Sequence, residues 1–326
     1  RFERAVEAAE SFLLVTHMNP DGDALGAELG LARFLRARGK QVVIVHNDPI
    51  PPVLQFLDRG DVPIERYDPA SHDDRMAEVD RIVLLDNSAP DRLGRLEPRM
   101  RELAEAVLCI DHHPTRGTIW GEAILDVRSS AAAAMVHELV VACGWLPDEA
   151  AAEALFVGIA TDTGFFRYNS TSPQALRISA DLMERGVDPA ACYRRIYERN
   201  SPVFARILGA ALAGMRLDAD GRVVSVRVTR DALRGAEDVD TSEMMTPLLA
   251  IDGVQVAMLF RELGDARVKV SLRSKGSWDV HALALEYGGG GHRNASGIVA
   301  SGTLAEVEEQ IVERAAAMFE GGGAGR

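Results

Sequence analysis

The sequence predicts an α/β fold in two domains: a first domain with a doubly wound, mostly parallel sheet, and a smaller α/β domain after it. In the first half of the chain, short apolar runs rich in β-branched residues alternate with segments of helical periodicity. Such alternation is typical of parallel sheets covered by helices. In the last third, strands follow one another with polar turns between them. A chain of 326 residues also exceeds the usual size of one hydrophobic core.

The predicted elements alternate along the first domain and then change in character. Strands are expected at residues 12–16, 42–46, 82–86 and 106–111, and helices at residues 24–38, 130–143, 148–159 and 173–185. A helical segment at 193–215 leads to strands at 222–228, 254–262 and 266–273 and to a helix at 279–287. We therefore divide the chain into a first domain (residues 1–198), a helical linker (199–216) and a second domain (217–326), with a cleft between the two domains.

Composition and charge limit the classes of function. The chain is 47% hydrophobic and 26% charged, and it has no apolar run of membrane-spanning length. Its cysteines, Cys109, Cys143 and Cys192, stand far apart, which fits a reducing cytosol and argues against a thiolate metal site. We therefore expect a cytoplasmic protein without a membrane partner. A formal net charge of −13 argues against binding along long duplex nucleic acid, but it permits a small phosphate substrate in a local basic pocket.

The end of the first predicted strand carries three residues that can bind a metal ion. His17, Asp21 and Asp23 lie between the strand and the next helix, at the sheet edge where open α/β sheets bind ligands. Two carboxylates about 4 Å apart repel each other by on the order of 4 kcal/mol at an effective dielectric near 20, and a bound cation relieves that repulsion. The alternative is a strand-to-helix turn in which Asp21 or Asp23 is the helix N-cap. A cap explains one of the two Asp residues, but not the whole set.

Further acidic and imidazole side chains follow later elements. Asp86 ends one strand, Asp111-His112-His113 ends another, and Asp162 follows an apolar helix. Taken singly, each is equally well explained as a turn or cap residue. Parallel strands bring their carboxyl ends to one edge, so these side chains should converge with those near His17. Mixed imidazole and carboxylate ligands suit manganese better than calcium, and so large a set suits two ions that share a bridging carboxylate.

These motifs resemble the DHH phosphoesterase superfamily. Five segments match the family pattern in order, namely His17-Met18-Asn19-Pro20-Asp21-Gly22-Asp23, Asp86-Asn87, Asp111-His112-His113-Pro114, Thr161-Asp162-Thr163-Gly164 and Gly288-Gly289-Gly290-Gly291-His292-Arg293-Asn294-Ala295-Ser296-Gly297. The resemblance covers nearly the whole chain. It is strongest to the smaller NrnA-like members, which are bifunctional oligoribonucleases and 3′-phosphoadenosine-5′-phosphate phosphatases with a C-terminal DHH-associated domain.

The resemblance implies a role for each residue of the first four motifs. One Mn²⁺ is held by His17, Asp21 and Asp86, and a second by Asp23, Asp86, His112 and Asp162, with Mg²⁺ or Co²⁺ as possible substitutes. His113 faces the substrate phosphate, Asp111 orients the His pair, and Asn19 positions the attacking water; these three form the catalytic set. The chain departs from the pattern after the His pair, where relatives often carry Asn near Arg116, so that polar contact is not carried over.

The second domain supplies candidate phosphate contacts. Period-two spacing places residues 267, 269, 271 and 273 on one face of a strand, which by itself is more typical of a charged edge strand than of a phosphate site. The resemblance favours Arg273 as a phosphate contact, with Lys275 as a weaker candidate and Arg267 and Lys269 at the surface. The glycine run is expected to be a loop that exposes backbone N–H groups to an anion. The substrate-binding residues implied there are Gly290, Gly291, His292, Arg293 and Ser296.

The implied reaction is hydrolysis of a phosphate ester by a metal-activated hydroxide. The expected substrates are short RNA oligonucleotides, linear dinucleotides such as pApA, and 3′-phosphoadenosine-5′-phosphate, and a homodimer is expected by resemblance. Within the superfamily, a cyclic di-AMP phosphodiesterase is the alternative. A RecJ-type exonuclease would need a longer chain, and a manganese pyrophosphatase would lack the glycine run. From another class, a non-catalytic nucleotide sensor would bind ligand without turnover.

Overall fold

Six parallel strands form the sheet of the first structural unit, residues 1–199. They are β1 (Ser11–Val15), β2 (Gln41–His46), β3 (Ile64–Arg66), β4 (Arg81–Leu85), β5 (Val107–Asp111) and β6 (Glu122–Leu125). Their spatial order is β3-β2-β1-β4-β5-β6, and every pair is parallel. The structure is a computed structural model, and it describes residues 1–114, 120–236 and 239–319.

Helices cover both faces of this sheet. They are α1 (Phe2–Glu7), α2 (Gly22–Ala37), α3 (Pro69–Glu78), α4 (Glu97–Glu102), α5 (Ala132–Ala142), α6 (Glu149–Asp162), α7 (Pro173–Glu184) and α8 (Pro189–Tyr197). Phe12 and Leu14 of β1 belong to the hydrophobic core that contains α2, α5 and α6, whereas Leu13 and Val15 belong to the core on the opposite face. This alternation confirms the doubly wound sheet predicted from the sequence.

The second unit, residues 200–326, contains a mixed six-stranded sheet. It comprises α9 (Pro202–Ala213), β7 (Arg216–Asp218), β8 (Val223–Val228), α10 (Met245–Leu249), β9 (Val256–Gly264), β10 (Arg267–Ser274), α11 (Val280–Glu286), β11 (Gly290–His292), β12 (Ala295–Ser301) and α12 (Leu304–Ala317). The strand order is β11-β12-β10-β9-β8-β7, in which only β8 and β9 are parallel.

The region expected to be a helical linker, residues 199–216, contains α9 and the first residue of β7. Phe204, Ile207 and Ala211 of α9 are buried with Val224 and Val226 of β8, in a core that belongs to the second unit. Residues 198–201 separate α8 from α9, so the helical pattern predicted for 193–215 corresponds to two helices.

The glycine run differs from the loop expected at this position. Gly290 and Gly291 belong to β11, where they pair with Gly297 and Ser296 of the neighbouring strand β12. A Cβ on Gly291 would lie 2.5 Å from the Ala295 carbonyl oxygen, and one on Gly289 would lie 2.3 Å from the Gly297 carbonyl oxygen. The two backbones can approach this closely because the glycines lack side chains.

Glycines also allow α2 and α6 to pack closely behind the edge of the sheet that holds the candidate site. A Cβ on Gly26 would lie 2.4 Å from the Ala154 carbonyl oxygen, and one on Gly30 would lie 2.5 Å from Leu155 Cδ2. Helix α2 is buried along residues 22–35, because it lies against both α5 and α6. No helix in the described part of the chain is both long and apolar enough to cross a membrane.

We expect Gly26→Ala to destabilise the protein by about 1–3 kcal/mol, because the added methyl group would force α2 away from the α6 backbone. Gly209→Ala is the matched control, since an added Cβ in the middle of α9 meets no atom within 4 Å. That control should be neutral or stabilise by up to about 1 kcal/mol through higher helix propensity. Equilibrium urea denaturation measures both, and equal stability of the two variants would contradict this account of α2–α6 packing.

Candidate active site

The candidate site lies where β1 and β4 meet at their carboxyl ends. These strands are neighbours in the sheet, but the chain leaves them toward opposite edges, through β2 on one side and β5 on the other. Such a switch in strand order opens the crevice in which doubly wound sheets bind ligands. His17 follows β1, Asp86 follows β4, and His112 follows β5.

His17 presents one ring nitrogen to two carboxylates. Its Nδ1 lies 2.8 Å from the Met18 carbonyl oxygen, so Nδ1–H donates and Nε2 is left as the acceptor. Nε2 lies 3.4 Å from Asp86 Oδ2 and 3.7 Å from Asp21 Oδ2. It has no hydrogen-bond partner among the described residues, although the side chain is only 3% exposed.

His112 repeats this arrangement with a second set of carboxylates. Its Nδ1 lies 3.2 Å from the Ser129 carbonyl oxygen. Its Nε2 lies 3.3 Å from Asp86 Oδ1, 3.5 Å from Asp23 Oδ2 and 3.6 Å from Asp162 Oδ2. Within the described chain, this Nε2 atom also has no hydrogen-bond partner. A histidine whose Nδ1–H is fixed by a carbonyl and whose Nε2 faces carboxylates is arranged as a metal ligand.

Asp86 belongs to both groups. Its two oxygens face different histidines, and its backbone has a φ of 54°, a left-handed conformation that is uncommon outside glycine. Although burial opposes its charge, the proximity of the His112 and His17 imidazoles holds the pKa of Asp86 below its ordinary range. Although burial opposes protonation of His112, the carboxylates of Asp86, Asp23 and Asp162 raise its pKa to about 9.

Asp23 and Asp162 add negative charge that no described cationic side chain fully balances. Burial, followed by the Asp86 and Asp162 carboxylates, raises the pKa of Asp23 well above its ordinary value. Burial, together with Asp86, raises the pKa of Asp162 to about 6 despite the attraction of His112. Divalent cations would lower the free energy of both ionised carboxylates. The donor set therefore fits metal ions chemically as well as geometrically.

The two acidic residues of the first motif also accept hydrogen bonds from the first backbone N–H groups of helices. The Asp21 side chain accepts the backbone N–H groups of Asp23 and Ala24 at the start of α2, at 3.0 and 3.1 Å. Asp23 accepts the N–H groups of Ala132 and Ala133 at the start of α5, at 2.6 and 2.8 Å. The helix-cap alternative is thus correct for Asp21, while Asp21 also faces His17. The contact of Asp23 with α5 is long-range and has no signal in the sequence.

Of the three residues expected to be catalytic, His113 lies beside the candidate ligands, with Nδ1 3.5 Å from Asp86 Oδ1. Asp111 is fully buried, and its Oδ1 lies 2.8 Å from His113 Nδ1. Although burial opposes ionisation, hydrogen bonds from His113 and Ser88 hold the pKa of Asp111 below its ordinary value. The His113 side chain is 44% exposed. Asn19, with a φ of 54°, donates its backbone N–H to Asp48 Oδ2 at 2.9 Å.

Two residues near His17 were not predicted from the sequence. Asp48 follows β2 and was detectable by the strand-end rule applied to the other ligands. Arg92 lies in a 3-10 segment, Pro90–Leu96, whose sequence has no clear periodicity. The Arg92 carbonyl oxygen accepts the Met18 N–H at 2.8 Å. Burial and the Arg92 charge oppose protonation of His17, but the nearby Asp86 carboxylate and the Met18 carbonyl raise its pKa overall.

The residues predicted to bind substrate belong to the second unit. Arg273, Gly290, Gly291 and Ser296 lie on adjoining strands of its sheet, and Ser296 is buried. Arg273 donates from Nη1 to the Leu272 carbonyl oxygen at 3.0 Å, and Arg293 donates to the Ser277 carbonyl oxygen at 2.9 Å. The side chain of His292 and the segment with Arg116 lie outside the described residues. Arg267 and Lys269 are exposed on β10, as expected for surface residues.

The six predicted metal ligands, together with His113, form three overlapping groups. The groups are His17–Asp21–Asp86, Asp23–His112–Asp162 and Asp86–His112–His113, and in each the candidate ligand atoms lie within 4.8 Å of one another. Asp86 and His112 each belong to two groups. This arrangement can hold two metal ions through one shared carboxylate.

Comparison with known proteins agrees with this geometry. The DHH family N-terminal domain matches residues 11–159, and the DHHA1 domain matches residues 221–325. A bifunctional oligoribonuclease and PAP phosphatase NrnA from Thermus thermophilus is 33% identical over 304 residues, which are 92% of this chain and 87% of that protein. The chain belongs to the DHH family. The first matched range contains every residue of the three groups except Asp162.

Solved structures have the same architecture. An exopolyphosphatase-related protein from Bacteroides fragilis superposes with a TM-score of 0.82 at 28% identity, covering 98% of this DHH-family chain and 96% of that chain. The exonuclease RecJ bound to manganese has a TM-score of 0.51 at 15% identity, with 98% of this chain and 92% of that chain covered. The latter similarity shows a common fold.

In metal-free protein, we expect Asp162→Asn to increase stability at pH 8. The pKa of Asp162 is about 6 in the folded protein, against an ordinary value of 3.8. Above pH 6 the carboxyl is ionised in both states, and its charge then lowers the free energy of unfolding. The gain should shrink toward pH 4, where the folded carboxyl is already neutral. Urea denaturation in EDTA at the two pH values measures it. Asp126→Asn is the control of opposite sign, because hydrogen bonding from Arg128 lowers the pKa of Asp126. Equal changes in the two variants would contradict the charge balance described for the site.

Proposed function

We propose that this chain is a manganese-dependent phosphoesterase that hydrolyses short oligoribonucleotides and linear dinucleotides to mononucleotides and dephosphorylates 3′-phosphoadenosine-5′-phosphate to AMP. Family membership and the relative's name, bifunctional oligoribonuclease and PAP phosphatase, support the reaction class. The observation that carries the proposal is the Asp86 carboxylate, whose oxygens lie 3.4 Å from His17 Nε2 and 3.3 Å from His112 Nε2. One carboxylate between two imidazole Nε2 atoms that have no hydrogen-bond partner in the described chain is an arrangement suited to a two-metal hydrolase.

The proposed ligand sets follow the groups found in the structure. His17, Asp21 and Asp86 would hold one Mn²⁺, and Asp23, Asp86, His112 and Asp162 would hold the second. Imidazole and carboxylate donors together suit manganese, and Mg²⁺ or Co²⁺ could replace it. When bound, the ions would lower the pKa of a water molecule and stabilise charge on the phosphoryl oxygens.

The chain's own residues would orient the substrate and control protons. Asp111 accepts a hydrogen bond from His113 Nδ1, so His113 Nε2 is free to donate toward a phosphoryl oxygen when the ring is protonated. Asn19 is held in a left-handed conformation beside His17 and would direct its side-chain amide toward the attacking water. This mechanism requires no Ser or Cys nucleophile.

The second unit would contact the rest of the substrate. We assign Arg273 to a phosphate, and Gly290, Gly291, His292, Arg293 and Ser296 to the remainder of the nucleotide. Strand β11 is an edge strand, and a Cβ on Gly290 would meet nothing within 4 Å, so its backbone is open to a ligand. An acidic chain of net charge −13 favours short substrates over long duplexes. We also propose that the enzyme acts as a homodimer.

We expect Asp86→Ala to abolish manganese-dependent hydrolysis of pApA, because the substitution would remove a ligand from both ions. Product analysis on pApA, 3′-phosphoadenosine-5′-phosphate, cyclic di-AMP and pyrophosphate tests the wild type and the variant together. Asp126→Asn, which removes an exposed carboxylate of the same unit, should retain full activity. Retained turnover by Asp86→Ala would refute the two-metal proposal. Binding of these nucleotides without turnover by the wild type would indicate a sensor.

We expect Arg273→Ala to raise KM for dinucleotides by about 10- to 100-fold, equivalent to the loss of one charged hydrogen bond of about 1.5–3 kcal/mol. Manganese binding, followed by calorimetry, should be unchanged, because Arg273 belongs to a different structural unit from the ligands. Lys269→Ala removes an exposed cation from the same face of β10 and is the matched control. Loss of metal affinity in Arg273→Ala would contradict this division of roles.

A further inference from the structure

We propose that Tyr168 is a stacking platform for the nucleobase next to the scissile phosphate. The inference rests on the proposed function and names a substrate contact in the first unit. Tyr168 lies in the loop between α6 and α7, which begins directly after Asp162. Its side chain is a large aromatic group that is 57% exposed.

The loop turns its other two aromatic rings inward. Phe165 and Phe166 have φ angles of 52° and 65°, a left-handed conformation that bulky side chains rarely adopt. With this backbone, both rings pack against Phe156, at centroid distances of 6.5 and 6.0 Å. Tyr168 alone among these rings stays at the surface. Uncommon backbone conformations of this kind concentrate at ligand-binding sites.

The position of Tyr168 is fixed from several sides. Its backbone N–H donates to the Thr163 carbonyl oxygen at 3.0 Å, and its own carbonyl accepts the Thr171 N–H at 3.0 Å. The ring lies against Gly164, where an added Cβ would be 2.5 Å from the Tyr168 Cζ atom. The Arg167 guanidinium lies 5.9 Å from the ring centroid, and its Nε donates to the Gly164 carbonyl oxygen. An exposed ring held in one place loses little conformational entropy when a ligand covers it.

This ring lies close to the candidate metal ligands along the chain. Gly164, which the ring contacts, is two residues beyond Asp162, and Asp162 Oδ2 lies 3.6 Å from His112 Nε2. Ser170 Oγ also donates to the Asp162 carbonyl oxygen at 3.3 Å, so the loop returns to Asp162. Two residues span at most about 7 Å of chain, so the Gly164 backbone lies within that distance of the Asp162 backbone. The base of a nucleotide is separated from its phosphate by one sugar, which is a comparable distance.

Stacking explains recognition without selection among bases. Every nucleobase has a π-face, so an aromatic platform binds RNA fragments of any sequence. A phenol ring beside a guanidinium offers such a surface, and the adjoining carboxylates offer none. The geometry therefore assigns base binding to Tyr168 and phosphate chemistry to the group around Asp86.

The kinetic test compares Tyr168→Ala and Tyr168→Phe on pApA and on an analogue that lacks the base next to the scissile phosphate. Tyr168→Ala should raise KM for pApA by about 5- to 100-fold, the usual effect of losing one stacked base, with kcat little changed. Tyr168→Phe should behave as the wild type, and the abasic analogue should show no difference between variants. Leu146→Ala is the control, because Leu146 is a large exposed side chain of the same unit, 60% exposed, and lies between α5 and α6.

A binding experiment separates this inference from the proposed function. A non-hydrolysable phosphonate dinucleotide carrying 2-aminopurine should lose fluorescence on binding to the wild type and to Tyr168→Phe, but not to Tyr168→Ala. Quenching without turnover of pApA by the wild type would support stacking and refute the proposed reaction. Turnover by the wild type with an unchanged KM in Tyr168→Ala would refute stacking and leave the reaction in place. Thermal melting of each variant identifies any loss that comes from misfolding.

Discussion

The candidate site of the first unit depends on one buried carboxylate, that of Asp86, which lies between two imidazoles. Its oxygens lie 3.4 Å from His17 Nε2 and 3.3 Å from His112 Nε2. These distances exceed those of strong charge-assisted hydrogen bonds, and neither nitrogen has a hydrogen-bond partner in the described chain. The histidines follow β1 and β5, and Asp86 follows β4 between them in the sheet. The strand order therefore brings together three groups that are far apart in sequence.

Two other candidate ligands, Asp21 and Asp23, also accept hydrogen bonds from the N-termini of helices. The same carboxylates therefore serve both the site and the fold. Asp21 caps α2, and Asp23 accepts two N–H groups at the start of α5. A carboxylate at a helix N-terminus is stabilised by the unpaired N–H groups and by the helix dipole. This interaction partly offsets the cost of placing Asp23 near Asp86 and Asp162, although the pKa of Asp23 remains raised. The fold thus retains a cluster of carboxylates whose remaining repulsion favours cations.

The sequence could predict the core of this arrangement but not its periphery. Buried strands such as β1 and β4 are continuous apolar runs, and acidic or His residues at their ends identify the site edge. The edge strands β3 and β6 were missed, because they have only three and four residues and a weak apolar pattern. Helix α12 was also missed, although Thr303 and Glu306 form a capping box that marks its start. The contact between Asp23 and α5 spans more than 100 residues and could not be predicted from local pattern.

The glycine run shows why a motif does not determine its own conformation. As a sequence, Gly288 to Gly291 is typical of a flexible anion-binding loop. In the fold, Gly289 and Gly291 instead permit close contact with β12, whereas an added Cβ on Gly288 or Gly290 would meet nothing within 4 Å. The second half of the run, Gly290 and Gly291, is therefore part of an ordered sheet edge, since β11 pairs with β12 on one side and ends the sheet on the other. An ordered edge presents its backbone at fixed positions, so any ligand it binds meets a preorganised surface. The cost of ordering that backbone is then met by folding, through contacts with β12, and not by the ligand.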